Sequence, residues 1–415
     1  MIMVNAQSTP KAGWEVKTLG EVCEFARGLT YKKTDEVDHS SNAVLRANNV
    51  SLETKSLNFD KIKFIHEDIE IPESKKVRNG SLLICTASGS KKHLGKVALI
   101  DADYAYAFGG FMGLLTPHEN ISSKYFFYSL TGKEYENFIA ELSDGANINN
   151  LKFSQLQEFR ITVPPLAEQE RIVGILDEAF EGIAAATAQA EKNLHNAREL
   201  FQTVLQSTFS QKGDDWEETT LGEACEVFTD GDWIESKDQS PSGIRLIQTG
   251  NVGDGFFKDR RDKARFISAD TLKRLKCTEI FEGDCLISRL PDPVGRSCIL
   301  PATGELMITA VDCAIVRFKN NLILPQTFIF YSQSPMYLRD VEDLCTGTTR
   351  KRISRKNLGS ILVPLPPLPT QQAIVEKLDA LSEETKALEA IYERKQSALA
   401  ELKQSLLQKA FAGEL

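Results

Sequence analysis

Two long stretches of the chain repeat apolar residues at spacings of three and four. One stretch follows Pro164–Pro165 and the other follows the proline-rich segment 364–369. The apolar positions are Ile172, Leu176, Ala179, Ile183, Ala186, Ala190, Leu194, Ala197, Phe201 and Val204 in the first, and Ile374, Leu378, Leu381, Leu388, Tyr392, Leu399, Leu402 and Leu406 in the second. This spacing predicts one apolar stripe along each of two α-helices. Proline is tolerated at a helix start, so each helix is expected to begin just after its prolines.

A helix with one apolar stripe can pack on its own domain or on another long helix. At 1.5 Å per residue, helices of about 40–45 residues extend about 60–65 Å. That length exceeds what packing on a domain of about 150 residues requires. Thr385 and Lys395 interrupt the second stripe, but coiled-coil packing of the two helices on each other remains the more economical arrangement.

The segments before these helices show a different pattern, with short apolar runs separated by glycines. Ser81–Cys85, Val97–Ile100 and Cys285–Ser288 are typical of short buried strands. Helices are expected at Ser122–Leu130 and Leu324–Ser334. The pattern therefore predicts an α+β protein with two globular mixed α/β domains, residues 1–165 and 213–367, and two long helices, residues 166–212 and 368–415.

The chain is an internal repeat with an offset of 202 residues. Trp14–Glu24 (WEVKTLGEVCE) recurs as Trp216–Glu226 (WEETTLGEACE). The same offset relates further pairs, namely Asn49 and Asn251, Gly145 and Gly347, Leu156 and Leu358, Pro164 and Pro366, Gln169 and Gln371, Leu205 and Leu407, and Phe209 and Phe411. The ends of the two copies match well and the middles poorly. This pattern indicates a fixed frame that carries a variable centre.

Composition narrows the function classes. The chain has 415 residues, 42% of them hydrophobic and 26% charged, as in ordinary soluble proteins. It contains no apolar run long enough for a membrane span and no signal peptide, so a cytoplasmic location is expected. The eight cysteines form no CxxC pair and the five histidines do not cluster with them, which argues against zinc and indicates reduced, buried thiols.

Two similar domains on paired helices have the geometry of a DNA reader. Two half-sites that lie one helical turn apart on a duplex are separated by about 34–36 Å, and a pair of packed helices can fix that distance. The net charge of −9 opposes this interpretation, because DNA-binding proteins usually carry a basic surface. Local clusters of charge nevertheless act at phosphate range, since screening confines each charge to about 8–10 Å.

The second copy contains two basic clusters that suit phosphate and guanine-edge contacts. One follows Gly347 and the other spans residues 258–265; either could also be a solvated surface loop. Candidate DNA-binding residues in this copy are Gln248, Arg260, Arg261, Arg289, Arg296, Thr348, Thr349, Arg350, Lys351, Arg352 and Arg355.

The first copy presents different chemistry at the matched positions. Amides, which can pair with adenine, stand where the second copy has Thr349, Lys351 and Arg352. The candidates here are Arg46, Asn48, Ser88, Lys91, Lys92, Lys96, Asn147, Asn149, Asn150 and Lys152. Different side chains at matched positions are expected if the two modules read different bases.

Catalytic motifs are missing from the sequence. It has no Asn-Pro-Pro-Tyr-type tetrapeptide for amino methylation, no GxGxxG and no P-loop. Pro291–Asp292 followed by Glu305 hints at a nuclease pattern, but Glu305–Met307 lacks the lysine which that pattern needs. We therefore predict a binding protein without catalytic or metal-binding residues.

The repeated Trp-x-x-x-x-Leu-Gly-Glu motif, the variable centre and the helix start Val163–Val173 (VPPLAEQERIV) together resemble the specificity subunits of type I restriction–modification enzymes. Val363–Val375 (VPLPPLPTQQAIV) resembles the same helix start but departs from it at Thr370 and Gln372, where the first copy has glutamates. The ending Leu406–Leu415 (LLQKAFAGEL) is also similar to that family. The resemblance extends from Trp14 to the end of the chain.

The resemblance implies a prokaryotic protein with two target recognition domains, each reading half of a bipartite, asymmetric site in double-stranded DNA. The two long helices would form an antiparallel coiled coil that sets the spacer. Two methyltransferase subunits, which use S-adenosylmethionine, would dock on the chain, and restriction subunits, which use ATP and magnesium, would complete the enzyme. This chain itself would bind no cofactor.

Two other interpretations remain open at this point. A two-headed coiled-coil adaptor or regulatory scaffold would bind protein rather than DNA. A fused restriction–methylation enzyme is opposed by the missing motifs and the chain length. If the chain reads DNA, each of its four segments still has an excess of acidic residues, so the isolated chain is expected to bind DNA weakly and to need its partners for phosphate contacts.

Overall fold

The computed structural model describes residues 11–144, 150–347 and 350–415. The chain divides into two compact units: a first unit, Met1–Ala190 with Arg394–Leu415, and a second unit, Glu191–Glu393. Each unit therefore contains a stretch of both long helices. The four segments predicted above separate each domain from its long helix, whereas each unit combines a domain with parts of both helices. The boundaries of the four segments stay a prediction.

The first unit contains two four-stranded sheets and a two-stranded ribbon. The sheets have the orders β2-β9-β6-β7 and β3-β5-β4-β8, and β1 pairs with β10. All strand pairs are antiparallel except β4 with β8. The strands are β1 (Glu15–Thr18), β2 (Cys23–Arg27), β3 (Glu36–Val37), β4 (Asn42–Leu45), β5 (Lys63–Ile65), β6 (Leu82–Cys85), β7 (Val97–Leu99), β8 (Ala107–Phe108), β9 (Met112–Pro117) and β10 (Arg160–Val163). The helices up to the end of the first long one are α1 (Leu19–Val22), α2 (Ser123–Ser129), α3 (Lys133–Asp144), α4 (Phe153–Leu156) and α5 (Leu166–Ser210).

The second unit repeats this arrangement. Its sheets have the orders β12-β20-β17-β18 and β13-β15-β14-β19-β16, and β11 pairs with β21. The strands are β11 (Glu217–Thr220), β12 (Cys225–Asp230), β13 (Gln239–Ser240), β14 (Ile244–Ile247), β15 (Arg265–Ile267), β16 (Glu279–Ile280), β17 (Cys285–Ser288), β18 (Ser297–Ile299), β19 (Met307–Thr309), β20 (Cys313–Phe318) and β21 (Leu362–Leu365). The remaining helices are α6 (Ala269–Leu275), α7 (Pro325–Ser332), α8 (Pro335–Asp343), α9 (Arg355–Gly359) and α10 (Leu368–Ala412).

The short apolar runs are strands that are buried on both faces. Successive side chains of a strand point to opposite faces. In β6, Leu82 and Ile84 therefore enter a core with helices α2 and α3, while Leu83 and Cys85 enter a second core on the other face. Strand β17 divides its side chains between two cores in the same way. This double burial explains why these strands lack polar alternation.

The two long helices pack in antiparallel contact within each unit. In the first unit, Ile172 and Leu176 near the start of α5 share a core with Leu407 and Ala410 near the end of α10. In the second unit, the end of α5 and the start of α10 join one core, and Arg198 pairs with Glu389 at 2.9 Å. The predicted α+β class with two sheet-rich domains and paired long helices is confirmed.

The residues that the repeat preserves hold the frame of each unit. The side chain of Gln169 is fully buried; it accepts a hydrogen bond from the main-chain N–H of Ser122 at 2.8 Å and donates to two carbonyls. Gln371 makes the same three contacts, accepting from the main-chain N–H of Leu324 at 2.8 Å. The repeated Gln therefore fixes the start of each long helix against its domain.

The repeated Leu-Gly-Glu motif has a similar explanation. Glu21 accepts hydrogen bonds from the N–H and hydroxyl of Thr18, and Glu223 does so from Thr220. In both units these hydrogen bonds hold the pKa of the glutamate below its ordinary value. The preceding leucines are fully buried in their respective cores.

The eight cysteines all lie in the described ranges and are free thiols, six of them buried. Burial raises the pKa of Cys23, Cys225 and Cys298 to about 12. The predicted free, mostly buried thiols are confirmed. Across the described ranges, no group of three or more His, Cys, Asp or Glu side chains is placed to hold a metal ion. In the same ranges, no helix combines the length and the apolar character needed to cross a membrane.

Candidate nucleic-acid interface

A matched loop follows the fourth strand of the first unit and its counterpart in the second. The buried amide of Asn49 accepts a hydrogen bond from the N–H of Arg46 at 2.8 Å and donates to a carbonyl across the loop. Asn251 does the same for Gln248, at 3.0 Å. The shared asparagine therefore fixes the loop, while the side chain presented at its start differs: a guanidinium in one unit and an amide in the other.

The first unit has a cleft of about 770 Å³ beside this loop. Three predicted residues, Arg46, Asn48 and Ser88, line the cleft. Glu36 lies 2.9 Å from Lys63 and 4.0 Å from Arg46, and the hydrogen bond from Lys63 lowers the pKa of Glu36. The Nε of Arg46 is buried without a hydrogen-bond partner among the described residues.

An exposed aromatic ring on the cleft rim was missed by sequence reasoning. Phe111 lines the cleft and its side chain is 73% exposed, although a large apolar ring is normally buried. The second unit has an exposed aromatic of its own, Trp233, which is 69% exposed. The two glycines before Phe111 are the one signal in the sequence that the ring follows a turn and not a strand interior.

A second set of matched positions is defined by main-chain hydrogen bonds. The N–H of Thr86 donates to the carbonyl of Phe111 at 3.0 Å, and its carbonyl accepts from Leu151 at 2.7 Å. In the second unit the main-chain N–H of Arg289 donates to the main-chain carbonyl of Asp312 at 2.8 Å. The carbonyl of Arg289 accepts from the N–H of Ile353 at 3.3 Å. Thr86 therefore corresponds to Arg289, and Phe111 to Asp312.

The strand register adds two more matched positions. Arg27 at the end of β2 pairs with Gly113, and Asp230 at the end of β12 pairs with Ala314. A glycine follows each. The Arg27 guanidinium lies 5.4 Å from the centre of the Phe153 ring. In the second unit, Arg355, which is 202 residues beyond Phe153, has its Nε 3.8 Å from Oδ2 of Asp230.

Three predicted arginines of the second unit therefore meet two aspartates, and we call this set the arginine network: Arg289, Arg352 and Arg355 with Asp230 and Asp312. Arg289 lies 3.2 Å from Asp230, and Arg352 lies 2.9 Å from Asp312. Arg289 is buried, which lowers the pKa of its guanidinium from the usual value. The sequence predicted the arginines but missed the aspartates.

Lys96 and Arg296 make matched contacts inside their units. The Nζ of Lys96 donates to the carbonyl of Val50 at 2.7 Å, and the Nε of Arg296 donates to the carbonyl of Val252 at 2.8 Å. Arg296 donates to three further carbonyls and is buried. Burial lowers the pKa of both groups. These contacts give both side chains a structural role, and their contact with DNA stays a prediction.

Among the described residues, the remaining candidates make no contact with the aspartates of the arginine network that the structure records. Arg260 packs against Gly250, next to the loop of Gln248. Arg261 pairs with Asp259 and Glu305, each at 2.9 Å. Lys351 pairs with Glu342. Further exposed candidates are Asn48, Lys91, Lys92, Asn150, Lys152 and Arg350. Asn147, Asn149, Thr348 and Thr349 lie outside the described residues.

Asn150 and Arg352 also occupy matched places. Asn150 directly precedes Leu151, whose main-chain N–H donates to the carbonyl of Thr86, and Arg352 directly precedes Ile353, whose N–H donates to the carbonyl of Arg289. The helix α9 begins directly after this segment, and the hydroxyl of Ser354 accepts from the N–H of Asn357 at 3.1 Å to cap it. The capped helix holds Arg355 at its first position.

Comparison with known families gives a match over most of the chain. The sequence profile described as "Type I restriction modification DNA specificity domain" matches residues 11–194 and again residues 213–396. The two matched segments reproduce the repeat seen in the sequence.

Similar individual proteins carry related descriptions. The type I restriction enzyme EcoKI specificity subunit of Escherichia coli K12 is 27% identical over 97% of this chain and 89% of its own length. The StySPI specificity subunit of Salmonella potsdam is 26% identical over the same shares.

Solved structures share the fold. A chain from a study of complex assembly and conformational transition of the type I R-M system has a TM-score of 0.80 at 21% identity, covering 98% of this chain and all of that one. The crystal structure of the HsdS subunit from Thermoanaerobacter tengcongensis has a TM-score of 0.63 at 20% identity and covers both chains fully.

Proposed function

Because the chain belongs to the type I restriction modification DNA specificity family, we propose that it is the DNA-specificity subunit of a type I restriction–modification enzyme. Each unit reads one half of a bipartite site in double-stranded DNA. The observation that carries this proposal is the matched frame of the two units, which presents different polar side chains at equivalent positions. The comparisons give no support to the adaptor alternative.

The chemistry of the matched positions supports two unlike half-sites. Guanidinium groups suit guanine, whose O6 and N7 accept two parallel hydrogen bonds, whereas amides suit adenine. The second unit places Arg352 where the first has Asn150, and Gln248 where the first has Arg46. A duplex site read by such a pair is asymmetric, because the two halves meet different donors and acceptors.

The long helices supply the second part of the proposal, a spacer and a docking surface. Several large apolar side chains on them are exposed: Leu166, Ile175, Leu200, Leu388, Ile391 and Leu402. These side chains are available for contact with partner proteins. We infer that two methyltransferase subunits dock here and that restriction subunits join them. Under this proposal, S-adenosylmethionine, ATP and magnesium belong to those partners, and this chain is not catalytic.

A module exchange tests the proposal. The chain is co-expressed with its methyltransferase subunit, and methylated adenines in the host DNA are mapped by single-molecule sequencing. Replacing residues 14–165 with the corresponding segment of the EcoKI specificity subunit is expected to change one half of the methylated site and to leave the other half unchanged.

The reciprocal exchange of residues 213–367 is the matched control and should change only the other half. A change of both halves after either exchange, or of neither, contradicts the modular reading of DNA. Loss of all methylation together with normal folding of the exchanged chain would instead place the defect in docking of the methyltransferase.

A further inference from the structure

We propose that Asp230 and Asp312 are positioning residues that hold Arg355 and Arg352 for recognition of guanine by the second unit. This inference rests on the proposed function. Under this inference, one half of the site contains guanine. Two acidic residues then have a role on a surface that is expected to face DNA.

Each aspartate contacts one exposed arginine from one side. Arg352 and Arg355 both have side chains that are 46% exposed. The Nη2 of Arg352 lies 2.9 Å from Asp312, and the Nε of Arg355 lies 3.8 Å from Asp230. A guanidinium has five N–H donors in a planar fork, so one carboxylate leaves enough donors for two parallel hydrogen bonds to a base.

The buried guanidinium of Arg289 lies beside the carboxylate of Asp230 and the main chain next to Asp312. Its Nη2 lies 3.2 Å from Asp230 and donates to the carbonyl of Val311 at 2.6 Å, directly before Asp312. The Nε of Arg289 and the Oδ1 of Asp230 are both buried, and neither has a hydrogen-bond partner among the described residues. A buried polar group without a partner costs free energy, and functional sites are one place where that cost is tolerated. Arg289 therefore supplies a fixed positive charge beside the carboxylate of Asp230.

The acidic residues favour a base over a phosphate as the ligand. Phosphate contacts are usually made by cations that no neighbouring carboxylate neutralises, because a carboxylate repels the phosphate. In the arginine network, two aspartates offset the charge of three arginines. The edge of a guanine carries no net charge and instead needs two well-oriented donors, which a fixed guanidinium provides.

The first unit shows what the same frame does without this network. Its matched residues are Arg27, Thr86, Phe111, Asn150 and Phe153. No carboxylate stands at these positions, and the arginine among them lies over an aromatic ring. A guanine preference set by an aspartate-held arginine is therefore expected for the second half of the site only.

The test is selection of DNA from a library of randomised duplexes at low ionic strength, followed by sequencing of the bound fraction. The full chain is used in assembly with its methyltransferase subunits, because the isolated chain is expected to bind DNA weakly. The wild-type chain is expected to enrich a two-part motif with guanine at a fixed position in one half. Asp312→Asn, Asp230→Asn and Arg352→Lys are each expected to reduce that guanine enrichment on the order of tenfold. The other half of the motif should stay unchanged.

The Arg352→Lys variant separates base reading from phosphate contact, since lysine keeps the charge but lacks the planar fork. Affinity for a fixed duplex without the motif should hold for Arg352→Lys and should hold or rise for the aspartate variants, which lose a negative charge. Arg274→Lys is the matched control: its side chain is 57% exposed and pairs with one aspartate, Asp238, at 2.5 Å outside the network. It should leave the motif unchanged.

The outcomes are distinguishable. If the wild-type chain enriches a two-part motif and the network variants keep it, the role of the aspartates is overturned while the proposed function stands. If the wild-type chain enriches no motif, the proposed function fails and the inference fails with it. If one aspartate variant does not fold, the other tests the positioning role, since the side chains of Asp312 and Asp230 are 31% and 32% exposed.

Discussion

The two units of this protein share one main-chain frame but carry side chains of different chemistry on it. In the first unit, the end of β2 carries Arg27, which lies over the ring of Phe153. In the second, the matched positions carry Asp230 and Arg355, which form an ion pair. The hydrogen bonds that hold Thr86 and Arg289 are the same in both units. Specificity can therefore change through a few side chains while the fold stays fixed. Substitutions in the shared frame should affect stability, and substitutions at the differing positions should affect base preference.

The largest effect is expected where the frame needs glycine. A Cβ on Gly28 would lie 1.9 Å from the carbonyl oxygen of Gly109, and one on Gly231 would lie 2.4 Å from that of Ala310. Gly28→Ala and Gly231→Ala should each destabilise their own unit by more than about 3 kcal/mol, because main chain must move. Hydrogen–deuterium exchange, which reports each unit separately, measures this. Gly89→Ala is the control, since nothing lies within 4 Å of its Cβ.

The buried glutamines should have the next largest effect. Gln169→Ala and Gln371→Ala each leave three main-chain groups without partners. We expect a loss of about 2–3 kcal/mol in the affected unit. The same exchange measurement should show nearly equal losses for the two variants. Unequal losses would mean that the frame is less symmetric than the matched contacts indicate.

Exchange of reading residues should affect base preference more than stability. Arg352→Asn is expected to shift preference at one position from guanine toward adenine, and Asn150→Arg to shift it the other way in the other half. The change in discrimination should be about 1–2 kcal/mol. Selection from randomised duplexes measures it, with Arg274→Asn as a control. A shift in both halves from one variant would break the one-unit, one-half correspondence.

The smallest effect concerns acid stability. The pKa values of Glu21 and Glu223 are lowered by hydrogen bonds from Thr18 and Thr220. A carboxyl whose folded-state pKa is depressed stabilises the fold above its ordinary pKa, and this stabilisation is lost as pH falls through the folded value. Glu21→Gln and Glu223→Gln should therefore flatten the dependence of stability on pH below pH 4.5, as thermal unfolding at several pH values would show. A slope as steep as that of the wild type would exclude these two carboxyls as its source.

Local pattern is enough to predict several elements of the fold. The sequence predicts helices at Ser122–Leu130 and Leu324–Ser334, and the structure has them at Ser123–Ser129 and Pro325–Ser332. The predicted strand Cys285–Ser288 has the same bounds in the structure. Apolar spacing and proline position carry this information, because both act within a few residues along the chain.

The site is less predictable because its partners are distant in sequence. The basic run after Gly347 is visible in the sequence, but Asp230 meets Arg355 only through the register of β12 and β20 and the bridge beside Arg352. The charge of Arg296 suggests a DNA contact, yet its guanidinium donates to four main-chain carbonyls. Residue type alone cannot separate an arginine that faces solvent from one that closes a loop.

The composition of the first unit has a consequence for synthesis on the ribosome. This unit includes Arg394–Leu415, and Leu407 and Ala410 share its core with Trp14 and Ile172. The first unit thus begins to form early but cannot close until the last 22 residues of the chain have been translated. The second unit, contiguous from Glu191 to Glu393, can complete first. A chain truncated near its C-terminal end would therefore lose the first unit, although most of that unit is translated before the second.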